Sequence, residues 1–188
     1  MDKRIIKAVL VVVGLFAFYK VVPRNSALDS PQIIGKVNPI VELEHKVFES
    51  VDAEEKREKI VTYSQFFLGV PYKYAATDPK VGFDCSGFVY YVFKHFNVSV
   101  PRSSSVFQTF GEEVSIEDAQ KADIIVFTGT DHTKQKAGHV GIVIGNEDGK
   151  LTFIHASSSK KRNGVVTNVL QEGLRYQQRF MSIRRVIK

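Results

Sequence analysis

The chain has 188 residues, 44% hydrophobic and 11% aromatic, with one cysteine and a formal charge of +6. That composition supports one packed domain of ordinary size plus an appendage, and excludes both a disordered chain and an internal disulfide framework. Five of the 26 basic residues and one of the 20 acidic ones fall in Met1–Arg24, leaving 21 against 19 elsewhere, so no basic stripe remains to neutralise a nucleic-acid backbone.

In chain order, Lys3, Arg4 and Lys7 precede an uninterrupted apolar run from Ala8 to Tyr19, closed by Lys20. This is the order of the charged and apolar regions of an export signal. The run is shorter than the roughly 20 residues of a comfortable membrane span, and no clean small-x-small site precedes Pro23-Arg24. Residues 1–24 therefore read as a signal peptide or an uncleaved signal anchor, with any membrane contact confined to residues 8–22. A buried helix of the domain is the alternative, opposed by apolar residues on every face. Pro23, Pro31 and Pro39 punctuate a stretch of mixed polarity, and residues 25–50 read as a linker. The folded domain is expected over residues 51–188. Its first helix should start at Asp52 as N-cap, carry Glu54 and Glu55 in its first turn, and present Ile60, Tyr63, Phe66 and Phe67 as a stripe ending at Gly69.

The lone Cys85 lies in Phe83-Asp84-Cys85-Ser86-Gly87-Phe88, where Phe88, Val89, Val92, Phe93 and Phe96 recur at helical spacing. A helix of about three turns should run to Asn97, with Asp84 as its cap. A thiol at such an N-terminus meets unpaired N–H groups and the positive end of the helix dipole, which favour thiolate. The N–H groups of Cys85 and Ser86 could also receive a developing oxyanion. A small buried hydrophobe is the alternative for Cys85.

Two histidines follow in strand-like stretches, Gly138-His139-Val140-Gly141 and Phe153-Ile154-His155-Ala156. A three-residue loop with Gly149 at its left-handed position would pair Asn146 with Lys150 and Gly141 with His155. His139 then shares a sheet face with His155, diagonal to it, while Val140, Ile142 and Ile144 face the core. A loop of even length would separate the histidines. Cys85 is thus the candidate nucleophile, His139 the base that takes its proton or holds it as an ion pair, and His155 the group that orients His139. Gly138 and Gly141 would leave room beside the base for a substrate backbone. Ordinary half-exposed strand positions remain the alternative for both histidines. A zinc site drawing on Cys85, His139, His155, Asp131 and His132 lacks the short ligand spacings such sites use, so no metal or other cofactor is assigned.

Taken together, Gly69-Val70-Pro71-Tyr72-Lys73-Tyr74, Gly82 to Val89, Val100-Pro101-Arg102-Ser103-Ser104, Gly138 to Gly145, Phe153 to Ser157 and the closing Arg179 to Val186 resemble the ordered blocks of the NlpC family of bacterial cell-wall cysteine peptidases. The likeness covers most of residues 55–187. It implies an α+β, papain-like fold in which N-terminal helices, including the one that bears the cysteine, pack on an antiparallel sheet carrying both histidines. It also implies cleavage of peptidoglycan stem peptides between γ-D-glutamate and a diamino acid, an activity that must take place outside the cytoplasmic membrane; the chain is expected to act as a monomer. Under the resemblance Tyr72 presents its hydroxyl near the thiol, Ser86 helps line the oxyanion site, and Asp84 binds a substrate amine or only caps the helix. An amidase or acyl transferase on the same fold, or a non-catalytic wall-binding module, is the alternative.

Two departures stand out. The family often has Gly-Gly where this chain has Ala75-Ala76, which could narrow the cleft, and Gly where it has Ala122. Alanine is expected to be tolerated at residue 122 if its backbone needs no positive φ.

Overall fold

A computed structural model describes residues 39–188, and side chains from residue 51 onward. The leader at 1–24 and the first part of the expected linker lie outside the described residues. Helix α1 runs Pro39–Gln65, so it occupies the last twelve residues assigned to the linker, and Asp52 lies inside it rather than capping it. Proline at the first helical position fits, because its missing N–H would have had no partner there. Arg57, Ile60, Val61 and Ser64 are its buried face, at the spacing of successive turns. Tyr63 and Phe67 pack beside that face, whereas Phe66, expected in the stripe, is 77% exposed.

The short hairpin of β1 (Thr77–Asp78) and β2 (Gly82–Phe83) leads into helix α2 (Cys85–His95). Asp84 caps α2, its Oδ1 accepting from Gly87 N at 2.6 Å. Gly87 itself is required by packing, since a Cβ there would lie 2.1 Å from Ala76 O. The helix stops where Asn97 turns left-handed at φ +57°. Its apolar face, Phe88, Val89, Val92 and Phe93, is fully buried.

A six-stranded antiparallel sheet supplies the other layer. Its strands are β3 (Glu112–Val114), β4 (Ile124–Thr128), β5 (Ala137–Glu147), β6 (Lys150–Ser159), β7 (Arg162–Val169) and β8 (Phe180–Arg185), in the order β3-β8-β4-β5-β6-β7. A 3-10 turn at Ser104–Gln108 and the one-turn helix α3 (Leu174–Gln177) complete the frame. Val126, Val140, Ile142 and Ile154 face α2 and share its core. Phe127, Val143, Leu151 and Phe153 form a second cluster with Tyr176 and Phe180.

The β5–β6 connection differs from the expected loop in an instructive way. The turn has two residues, Asp148 at φ +52° and Gly149 at φ +72°, and pairs Glu147 with Lys150. Positive φ at both positions is the turn that matches strand twist, for which Asp-Gly is a preferred sequence. An even turn alone would have put the histidines on opposite faces. A bulge between Val143 and Gly145 inserts one extra residue, after which Ile142 pairs with Ile154. The next step brings Gly141 opposite His155, so the expected facing is kept by a bulge rather than by an odd loop.

Asp123, at the start of β4, is fully buried and anchors three elements. It accepts from Arg57 at 3.2 Å, from Arg185 at 3.2 and 2.9 Å, and from Gln120 N at 2.9 Å. Beside it Ala122 sits at φ +63°, and Ala75 sits at φ +62°. The condition set for alanine at residue 122 fails: both departures from glycine fall where an L side chain is strained.

Candidate active site

The N-terminus of α2 carries Cys85 against β5, where the sulfur faces the Val140 N–H as well as those of Ser86 and Cys85 itself. Those groups act as the dipole argument expects, pulling the thiol pKa down. Burial outweighs them and, with the neighbouring Asp84 charge, pushes the thiol above its ordinary value. The favoured thiolate expected from the helix terminus is therefore not the resting state.

His139 Nε2 lies 2.8 Å from His155 Nδ1, with the rings nearly perpendicular. His155 is fully buried, and its Nε2 is 3.1 Å from Asn168 Oδ1 and 3.2 Å from the Tyr176 hydroxyl. This chain of contacts has a direction. Asn168 Oδ1 can only accept, so His155 carries its proton on Nε2 and its Nδ1 accepts from His139 Nε2–H. The ring nitrogen of His139 left as a base is then Nδ1. Burial is the main cause that holds the His139 pKa well below the usual range, reinforced by His155, Arg179 and Arg175. Burial also pulls His155 down to about 4, against the supporting bond from Asn168. At neutral pH the pair rests as thiol and neutral imidazole.

Cys85, His139 and Tyr72 line one cleft of about 260 Å³, together with Arg175, Tyr176 and Arg179. The structure thus brings together the expected nucleophile, base and orienting residue, and sets Tyr72 at their edge. Burial first, then the proximity of Cys85, raises the Tyr72 phenol pKa, so it stays a hydroxyl.

Asp84 and Ser86 turn out to be tied elsewhere. Both oxygens of Asp84 are engaged by Arg102, Nη1 to Oδ1 at 2.9 Å and Nη2 to Oδ2 at 2.7 Å, besides Gly87 N. With its carboxylate buried and held by Arg102 and Gly87 N, Asp84 caps and braces the helix. Ser86 Oγ donates to Asp84 and accepts from Arg102, which leaves only its backbone N–H for an oxyanion. Gly138 does line the cleft. Gly141 does not: a Cβ there would lie 3.1 Å from the His155 Cβ, so its smallness admits strand β6 rather than substrate. Among the described residues no three His, Cys, Asp or Glu side chains converge as a metal site.

Asn168, Tyr176, Arg102, Arg175 and Arg179 were not singled out by sequence. Arg102 stood in a quoted block, and a buried acid one residue before Cys85 needs a counter-charge; that pairing could have been anticipated. Asn168 could not, because its place opposite Phe153 depends on the β6–β7 register.

An apolar-backed cysteine at a helix start, facing a histidine pair on an antiparallel sheet, defines a thiol site of the papain-like α+β class. Residues 69–185 match the NlpC/P60 family model, and the chain belongs to the NlpC/P60 family. It is 35% identical over 103 residues to a gamma-DL-glutamyl hydrolase of Bacillus subtilis, covering 54% of this chain and 24% of that protein. It is 32% identical over 128 residues to a gamma-D-glutamyl-L-lysine dipeptidyl-peptidase of the same organism, covering 68% of this chain and 40% of that one. The crystal structure of an NlpC/P60 family protein from Bacillus cereus superposes with a TM-score of 0.61 and 32% identity, over 70% of this chain and 40% of that one. The chain thus spans less than half the length of these relatives.

Proposed function

We propose that this chain is a peptidoglycan hydrolase, a cysteine endopeptidase that cuts stem peptides at the bond between γ-D-glutamate and a diamino acid. The observation that carries the reading is the directed contact from Asn168 through His155 to His139, which leaves His139 Nδ1 as base in the cleft holding Cys85. The activities named for the relatives support the choice of bond.

In this mechanism substrate meets a neutral thiol–imidazole pair. As the scissile carbonyl approaches, Cys85 Sγ attacks its carbon while His139 Nδ1 takes the thiol proton, so no resting ion pair is needed. The positive charge on the imidazole is spread by His139 Nε2–H donating to His155. The N–H groups of Cys85 and Ser86, already aimed at the sulfur, receive the developing oxyanion. His139 then returns the proton to the departing amine, the thioester remains on Cys85, and water activated by His139 releases the acid. Tyr72 borders the thiol and positions the substrate.

The reading includes an exported, envelope location with one copy of the chain as the working unit. Its support is the charged and then apolar order of residues 3–20 and the compartment of the polymer. The test is mass spectrometry of purified muropeptides incubated with residues 25–188, beside the Cys85→Ala protein. New fragments ending at γ-D-glutamate, absent with the variant, are expected. Release of the whole stem from the sugar would make the chain an amidase, and binding without any fragment would make it a non-catalytic module.

A further inference from the structure

Arg179 is an anomaly in charge pairing. Its side chain is buried, only 7% of the residue being exposed, and it lines the cleft beside Cys85 and His139. Nε and Nη2 both donate to a single neutral acceptor, Thr128 O, at 3.2 and 2.7 Å. No carboxylate lies within ion-pair distance of it among the described residues. The other arginines with buried or half-buried heads behave differently: Arg57 and Arg185 pair with Asp123, Arg184 with Glu113, and Arg102 with Asp84. A buried guanidinium is costly unless it meets an anion.

The resting thiol does not supply that anion, because burial holds it protonated. Arg175 reaches the same cleft from α3, so two guanidinium groups border it and no acidic residue lines it. Their field is felt across the site, since both depress His139 and His155. Substrate bound there would meet a pre-formed positive wall in which one cation is fixed by burial and the other is adaptable at the rim.

We propose that Arg179 and Arg175 form an anion subsite that holds a substrate carboxylate next to the scissile bond. The proposal rests on the stem-peptide reading given above and names what that reading leaves open. A γ-linked D-glutamate keeps its α-carboxylate free, and a diaminopimelate on the other side of the bond carries a side-chain carboxylate that lysine lacks. Either one presents the planar two-oxygen group that a guanidinium recognises.

The test uses the Cys85→Ala chain, which binds without turnover, and three peptides titrated by calorimetry: L-Ala-γ-D-Glu-diaminopimelate, its D-isoglutamine counterpart and its L-lysine counterpart. Replacing the recognised carboxylate should weaken binding roughly 10- to 100-fold, the size of a charge-assisted hydrogen bond. Loss with isoglutamine identifies the glutamate α-carboxylate, and loss with lysine the side-chain carboxylate. Arg175→Gln should shrink that acid-over-neutral ratio about tenfold, and Arg179→Gln should do the same if circular dichroism shows it folded. If it does not fold, Arg175→Gln decides. Equal affinity for all three peptides, or an equal loss for all three in Arg175→Gln, would overturn the subsite alone. Binding of none of them would overturn the subsite and the stem-peptide reading together.

Discussion

Protonation of His155 gives the sharpest physical handle on the site. This ring is fully buried, and its pKa is pulled from 6.5 to about 4, chiefly by burial. A histidine depressed in the folded state binds fewer protons there than in the unfolded chain, so stability is complete above pH 6.5 and falls as pH drops toward 4. The full difference is about 3.4 kcal/mol, from about 1.36 kcal/mol per pH unit. Integrated, about 1.4 kcal/mol is lost by about pH 5.5 and about 2.6 kcal/mol by about pH 4.5. Carboxylates titrate over the lower part of this range as well, so the informative quantity is a difference between two proteins. His155→Gln keeps hydrogen-bonding groups near His139 and Asn168 but cannot be protonated. Urea unfolding of both proteins, from neutral pH down to about pH 4.5, should show the wild type losing about 2.6 kcal/mol more than the variant. Parallel curves would mean that His155 is not held neutral by its surroundings, and the direction assigned to the hydrogen-bonded chain would fall with it.

Asn168 should matter through His155: Asn168→Leu is expected to lower kcat roughly tenfold, about 1.4 kcal/mol, with little change in KM. Asn168→Asp should restore much of that rate while moving the acid limb of the pH–rate profile upward, because a carboxylate favours the charged imidazole; an unshifted limb would assign Asn168 a purely structural role. Ala75 is exposed at φ +62°, so Ala75→Gly should relieve about 1–2 kcal/mol of left-handed strain against about 0.4–1 kcal/mol of added unfolded-state entropy. A net gain near 0.5 kcal/mol in urea unfolding is expected. Ala122→Gly removes the same strain but also a buried methyl worth about 0.8 kcal/mol, and should be close to neutral; a gain as large as that at residue 75 would contradict this account. Asp123→Ala strands buried Arg57 without its partner and should cost about 3–5 kcal/mol by the same assay.

Much of this site could be read in the sequence because it depends on local chemistry. A cap residue, one cysteine and a helical apolar repeat fix the N-terminus of α2, and structure places Asp84, Cys85 and Phe88 as those signals require. The histidine pairing was legible only in outcome. Its expected cause was an odd loop, whereas the chain uses an Asp-Gly turn and a compensating bulge, and a bulge leaves no local signal at Ile144. Helix α1 starts thirteen residues before the expected Asp52, because Pro31 and Pro39 argue for a linker there although Ile40, Leu43, Val47 and Val51 recur at helical spacing. Thiol ionisation depends on more than the helix terminus. The helix terminus is visible at residue 85, but the burial that outweighs it arises from packing into the core cluster, which local sequence does not show. Arg102, eighteen residues on, engages both oxygens of Asp84, a pairing that the cap position alone does not reveal.

Cys85 is the only cysteine in the chain, which makes one measurement decisive. Portions of the protein are alkylated with iodoacetamide to graded extents at alkaline pH, where the raised thiol ionises; intact mass gives the modified fraction and muropeptide turnover gives the activity. The account predicts that turnover falls in direct proportion to the modified fraction and reaches zero when every molecule carries one adduct. Undiminished turnover by fully modified protein would contradict it, because no other thiol in the chain could then be the nucleophile.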